Sequence, residues 1–202
     1  MPARIAGRLP GELDEQQAEV YRAITGGPRA AGPQAFPLTD EKGRLHGPFN
    51  AMLLSPPVGM AVQEVGAAVR YASLLTDRVR EMAILVVAAH WNSTFEREAH
   101  EAVGRSCGLT DAELNALRAG ELPALSDHAE RAAIRAALAL TRTGVLDDRE
   151  YYHAVAEWGE RGLFELTALV GYYALLALQL RVFAGEAPAD PCAPPQTESG
   201  TS

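Results

Sequence analysis

Glu81 is the first position whose type and setting suggest chemistry: Ile84, Leu85 and Ala88 follow it at i+3, i+4 and i+7 and place an ionisable group on an apolar helical stripe. A carboxylate in such a place is desolvated. Desolvation lifts a Glu pKa toward the range in which the group can both take and return a proton. The same spacing also suits a carboxylate one turn inside a helix start, favoured by the helix dipole and paired with Arg78 or Arg80. Ser93, Glu96 and His100 stand at i, i+3 and i+7 of the next segment and share one face. Phe95, Ala99, Ala102 and Val103 form the opposite face, expected to be the packing side. Read alone, the polar face either meets water or belongs to a site. An imidazole becomes a catalyst when a second titrating group meets it. Glu81 is the candidate, because the connection between the two segments is short enough to make them spatial neighbours.

The elements that must hold this pair are helices. Pro56-Pro57 opens one that runs to about Ser73, with Val58, Ala61, Val62, Val65, Ala68, Val69 and Ala72 at helical spacing. Thr76 caps the next, Asp77 to about Trp91, which is apolar on every side from Met82 to Ala89 and is expected to be central. A helix from Ser93 to Cys107 follows and ends at Gly108, and Thr110-Asp111-Ala112-Glu113 supplies a capping box for a short helix to about Ala119. Ser126 is expected to cap a helix to about Thr141. Asp147-Asp148 begins another that ends at Trp158, and Gly159 to Gly162 separates it from a closing helix, Leu163 to about Phe183. Upstream, Glu12 to Ile24 has a weak helical pattern, and Gly27 to Gly47 reads as a Gly/Pro-rich loop that acts as a lid or subunit contact. Beyond Gly185 the composition cannot bury enough surface to order itself. With no alternating strand pattern, the class is all-α. The expected division is an arm, helix and loop over 1–45, a helical domain over 46–185 and a disordered tail over 186–202.

Composition narrows the function classes. The 202 residues are 48% hydrophobic and 22% charged, which suits one globular domain with a sizeable core. The formal charge of -8, with no Lys/Arg cluster, makes nucleic acid an unexpected partner. Cys107 and Cys192 are the only cysteines, and Cys192 lies in the Pro-rich tail, so neither a disulfide framework nor a Cys-based zinc site is indicated and a reducing cytoplasm is expected. The N-terminus shows no apolar h-region. Leu166 to Leu180 is interrupted by Thr167, Gly171 and Gln179 and is shorter than the roughly 20 residues that span a bilayer, so it reads as a buried helix and no membrane partner is expected. No His-x-x-x-His pair is present, and no metal or cofactor is expected.

Gly47-Pro48-Phe49-Asn50, Ser55-Pro56, Arg80-Glu81-Met82-Ala83-Ile84-Leu85, His90-Trp91-Asn92, Phe95-Glu96, Ala99-His100-Glu101, Gly108-Leu109-Thr110 and the closing Gly162-Leu163-Phe164-Glu165-Leu166 with Gly171-Tyr172-Tyr173 together resemble the carboxymuconolactone decarboxylase family, related to the small alkylhydroperoxidase D proteins. The resemblance runs from about Gly47 to Phe183. It implies an alkylhydroperoxidase D-like helical bundle and a homo-oligomer, trimer or hexamer, with pockets near subunit contacts. In the peroxidatic relatives a Glu, a Cys-x-x-Cys pair and a His fall where this chain has Glu81, Ser93, Glu96 and His100. Disulfide exchange needs a thiolate and a resolving sulfur, which Ser93 and Glu96 cannot supply, so a peroxidase is disfavoured. What remains is an acid–base pair, Glu81 and His100. It suits a cofactor-independent lactone decarboxylase, with a small carboxylated lactone or related ring as substrate, or an isomerase, cyclase or hydrolase on the same scaffold. A noncatalytic ligand-binding protein is the reading of another class.

For a decarboxylase, an enolate oxygen needs a donor, for which His100 or Asn92 serves, and a carbon needs a proton, for which Glu81 or His100 serves. His90 and Trp91 are expected either to line the pocket or, for His90, to complement a helix dipole. His46 and Asn50 come from the loop and are expected to close the pocket, with Ser93 and Glu96 on its wall. Tyr172 and Tyr173 read as core phenols able to reach a ligand, His128 and His153 as surface residues, and Cys107 as a small buried hydrophobe. Arg80 and Arg97 are the nearest cations for an acidic substrate.

Overall fold

The computed structural model describes residues 4–27 and 37–184. Eight α-helices carry the fold among them, with no strand and one isolated bridge between Thr39 and Leu45. Of the Gly/Pro-rich loop, residues 28–36 lie outside the described residues, as does the expected tail.

Six of the eight helices begin where a side-chain oxygen accepts from a free N–H group. Helix α1 (Glu15–Gly26) is capped by Asp14, whose carboxylate accepts from Gln17 N. The short α2 (Phe49–Met52) leads into α3 (Pro56–Tyr71), which has proline in its first turn. Thr76 caps α4 (Asp77–Trp91) through Val79 N. Asn92 ends α4 in the left-handed conformation, φ 50° and ψ 45°, and Ser93 at once caps α5 (Thr94–Ser106). Gly108, at φ 85°, closes α5, and the Thr110–Glu113 capping box opens α6 (Asp111–Arg118).

Two boundaries differ from the expectation. Helix α7 (His128–Thr143) is capped by Asp127 rather than Ser126: the Asp127 carboxylate accepts from Glu130 N at 3.0 Å, while the Ser126 carbonyl is taken by Arg131. The break expected over Gly159 to Gly162 is present but narrower: α8 (Asp148–Gln179) consists of two helical segments that meet in a kink at Gly159, whose φ 66° and ψ 172° are non-helical and open to glycine at little cost. A π-helical turn, Leu180–Ala184, finishes it.

Helix α4 is the axis of the molecule. Val79 through Ala88 are all buried, and α5, α6, α7 and α8 all pack on it, with α7 also against α8. Among the described residues one helical stretch, Asp148–Ala184, is long and apolar enough to cross a bilayer, and half of its most apolar window is buried inside the protein. It contributes Leu166, Leu169, Val170, Tyr172, Tyr173 and Leu176 to the same core as α4.

Candidate active site

The polar face of α5 turns inward. Ser93, Glu96, His100 and Glu101 are all buried; on the face expected to pack, Ala99 is buried as well, Phe95 and Val103 are half-buried and Ala102 is exposed. The burial of the polar side has a physical reason: partners of its charged groups lie inside. Glu101 is gripped by both arms of the Arg118 guanidinium, and His100 meets Glu81.

Glu81 is fully buried, and its Oε2 stands 2.6 Å from His100 Nδ1. Its other oxygen, Oε1, takes no hydrogen bond among the described residues and faces two guanidinium groups, Arg70 Nη1 from α3 and Arg80 Nε from α4, each at 3.6 Å. Arg70 Nη1 donates to the Tyr173 hydroxyl at 3.2 Å, and the Tyr173 ring meets the His100 ring edge-on, with centroids 5.2 Å apart at 90°. Four helices therefore converge: α3, α4, α5 and α8.

Electrostatics follow from that geometry. Burial pushes the Glu81 carboxyl up, but the His100 hydrogen bond and the charges around it outweigh burial and hold the group below its ordinary range. Burial pushes the His100 imidazole down; Glu81 pulls it up, and the Arg70 and Arg80 charges add to burial, so the net direction is down. The pair at neutral pH is a carboxylate and a neutral imidazole. Nδ1 carries the hydrogen shared with Glu81, and Nε2 is the lone-pair nitrogen. Burial pushes the Tyr173 phenol up, so it stays protonated. Cys107, at the end of α5, is half-buried and its thiol is pushed up by burial and by the charges of Glu81 and Asp77. That disfavours the thiolate which sulfur chemistry requires.

The remaining expected residues divide. Ser93 and Glu96 lie buried on the His100 side of α5, Ser93 accepting from Glu96 N as the helix cap. His90 is exposed and lines a separate depression with Val86, Ala89, Arg118, Thr141 and Arg142, away from Glu81 and His100. Trp91 stacks under Arg181, which also holds its carbonyl, and Asn92 spends its backbone on the turn. His46 and Asn50 line another cleft of about 240 Å³ with Arg44, Gln179 and Phe183, and the Asn50 amide donates to the Ala6 carbonyl. Neither Glu81 nor His100 lines that cleft. The loop meets α5 at Gly47, where a Cβ would lie 2.4 Å from Phe95 Cζ. Among the described residues no group of three His, Cys, Asp or Glu side chains is arranged to hold a metal. Arg70 is the group that sequence reasoning missed: it sits in the last turn of an apolar helix, where a cation is ordinary. Arg78, the other partner expected for Glu81, instead bridges Glu113 and Glu130.

No family model and no curated protein matches the chain. Solved structures do. A protein of unknown function from Agrobacterium tumefaciens, ATU0492, described as a putative antioxidant defence protein AhpD, is 18% identical with a TM-score of 0.60, over 72% of this chain and 100% of that one. An uncharacterized peroxidase-related protein from Silicibacter sp. TM1040 is 13% identical with a TM-score of 0.67, over 93% and 92%. A cysteine-to-alanine variant of the debrominase Bmp8, in complex with 2,3,4-tribromopyrrole, is 12% identical with a TM-score of 0.65, over 90% of each chain. The fold is therefore the alkylhydroperoxidase D-like helical fold, one that houses at least one enzyme. In this chain it carries Ser93 and Glu96 and no Cys-x-x-Cys pair.

Proposed function

We propose that the protein is a cofactor-independent enzyme of the carboxymuconolactone decarboxylase kind, acting by acid–base chemistry on a small carboxylated lactone or a related ring. The observation that carries this is the buried 2.6 Å contact between Glu81 and His100, enclosed by two guanidinium groups. An anionic substrate placed against Nε2 raises the proton affinity of the imidazole, which then takes a proton from water. As carbon dioxide leaves, the pair of electrons of the broken C–C bond enters an enolate conjugated with the lactone carbonyl. The imidazolium delivers its proton to carbon and returns to the neutral state, so one solvent proton is consumed per turnover. Glu81 stabilises the transient imidazolium. That a neighbour of the same fold is described in complex with a small brominated ring supports a ring-sized substrate.

A second reading has its own support. A resting pair of carboxylate and neutral imidazole is poised to accept a proton, which suits an isomerase or cyclase that begins by removing one from carbon. Carbon dioxide release from a small carboxylated lactone, lost in His100→Ala and Glu81→Gln, selects the decarboxylase. Deuterium exchange into the ring without carbon dioxide selects the isomerase. Neither signal with any lactone acid leaves the noncatalytic ligand-binding reading.

The working form is proposed to be a homo-oligomer. Phe164, Gly171, Leu175 and Leu178 are exposed along one side of α8, and Val58 and Val65 along the adjacent α3, giving a charge-poor apolar face suited to a second copy.

A further inference from the structure

Glu81 divides its two oxygens between unlike partners. Oε2 serves His100, and Oε1 faces Arg70 and Arg80. The two arginines are not equivalent. Arg80 also holds Asp77 at 2.6 Å, a carboxylate whose side chain is 73% exposed, so its charge is partly met from the surface. Arg70, 13% exposed, meets no carboxylate other than Glu81 among the described residues and is steadied by the Tyr173 hydroxyl. The titratable and charged groups around His100 are Arg70 from α3, Asp77, Arg80 and Glu81 from α4, Glu96 and the half-buried Cys107 from α5 and its end, and Tyr172 and Tyr173 from α8.

Counting charge in this closed space restricts the states available. Protonating Glu81 leaves two guanidinium groups facing a neutral acid, and protonating His100 adds a third cation to the two guanidinium groups that already share Glu81. Both are costly where water cannot screen them. We infer that Arg70, braced by Tyr173, is a positioning residue that keeps Glu81 the standing anion of the site and His100 the neutral tautomer protonated on Nδ1, so that Nε2 is the nitrogen presented to a substrate. Its catalytic meaning rests on Glu81 and His100 being the proton-handling pair; its charge assignment does not.

The test uses the full-length protein without substrate. Long-range proton–nitrogen NMR of the histidine rings, with His100 assigned from the signal missing in His100→Gln, reads tautomer and titration directly. Wild-type His100 is expected to be a single Nδ1–H tautomer at pH 7 that titrates below 6.5, its ordinary value. Arg70→Gln removes a cation and is expected to raise that midpoint by on the order of one pH unit. Arg70→Lys restores most of the difference, and Tyr173→Phe falls between. A purely structural arginine would leave the midpoint where it was. A wild-type ring that is doubly protonated at pH 7, or protonated on Nε2, overturns the inference, as does a folded Arg70→Gln with the parental midpoint. If Arg70→Gln does not fold, the wild-type tautomer and the Tyr173→Phe titration decide in the same way. Loss of turnover in His100→Ala with a flat Arg70 series defeats this inference alone; the expected NMR pattern without turnover of any lactone acid defeats only the decarboxylase reading.

Discussion

Glu81 Oε2 and His100 Nδ1 stand 2.6 Å apart although they belong to different helices, and the shared hydrogen joins the two helices inside the core. The turn that allows it is short, with Asn92 ending one helix and Ser93 capping the next. Removing either partner therefore has two effects, one on proton transfer and one on the fold, and the two are separable by measurement.

Turnover should fall by roughly 10²–10⁴-fold in His100→Ala and in Glu81→Gln, the range of a lost general acid or base. Circular dichroism shows whether the helices survive. A variant with native helicity and parental turnover removes the pair from the chemistry.

Stability should also respond. Glu81→Gln leaves Arg70 and Arg80 facing a neutral amide in the interior, which costs about 3 kcal/mol, the scale for breaking a buried ion pair. Urea unfolding reports it as a lower midpoint at unchanged slope. Arg97→Gln, on a half-buried cation in no described ion pair, is the control expected to shift the midpoint by less than about 0.5 kcal/mol.

Both members of the pair have folded-state pKa values below their unfolded ones, of 6.5 for His100 and 4.5 for Glu81. The unfolded chain then binds more protons than the folded one, and stability rises with pH through each interval. On acidification the melting temperature should decline first below about pH 6.5 from His100, and again below about pH 4.5 as Glu81 approaches protonation. His100→Gln should erase the first decline and weaken the second, because it also removes the imidazole whose hydrogen bond lowers the Glu81 carboxyl. A melting temperature independent of pH between 7 and 5 contradicts the buried neutral imidazole.

Gly47 carries φ 57°, and a Cβ there would meet the Phe95 ring at 2.4 Å. Gly47→Ala should cost about 1–3 kcal/mol through backbone strain and overpacking combined. The double variant Gly47→Ala with Phe95→Leu should recover part of it, which a thermodynamic cycle on the two sites would detect.

The exposed apolar face of α8 gives the last expectation. Phe164→Glu, at a side chain 72% exposed in the single chain, should leave helicity intact and shift the protein to a smaller species in sedimentation. An unchanged mass assigns that face to something other than a second copy.

Much of this molecule is written locally. Thr76 and the Thr110–Glu113 box cap the helices that their residue types indicated, and the apolar run of Met82 to Ala89 identified the central helix, because capping and burial periodicity act within a few residues. Glu81 and His100 were legible as a pair for the same reason, a short turn between two adjacent helices. Which way α5 faced was not: its polar side reads as a solvent face until Arg118 and Glu81 are known to lie beneath it. Likewise the dispersal of His90, His46 and Asn50 into other clefts, and the arrival of Arg70 beside Tyr173, 103 residues away, depend on how α3 and α8 cross the core. The sequence alone determined an all-helical chain with an acid, an imidazole and no cysteine pair. Only the tertiary structure decided that two arginines set the charge of that pair, since long-range packing, not spacing, controls which charges share a buried space.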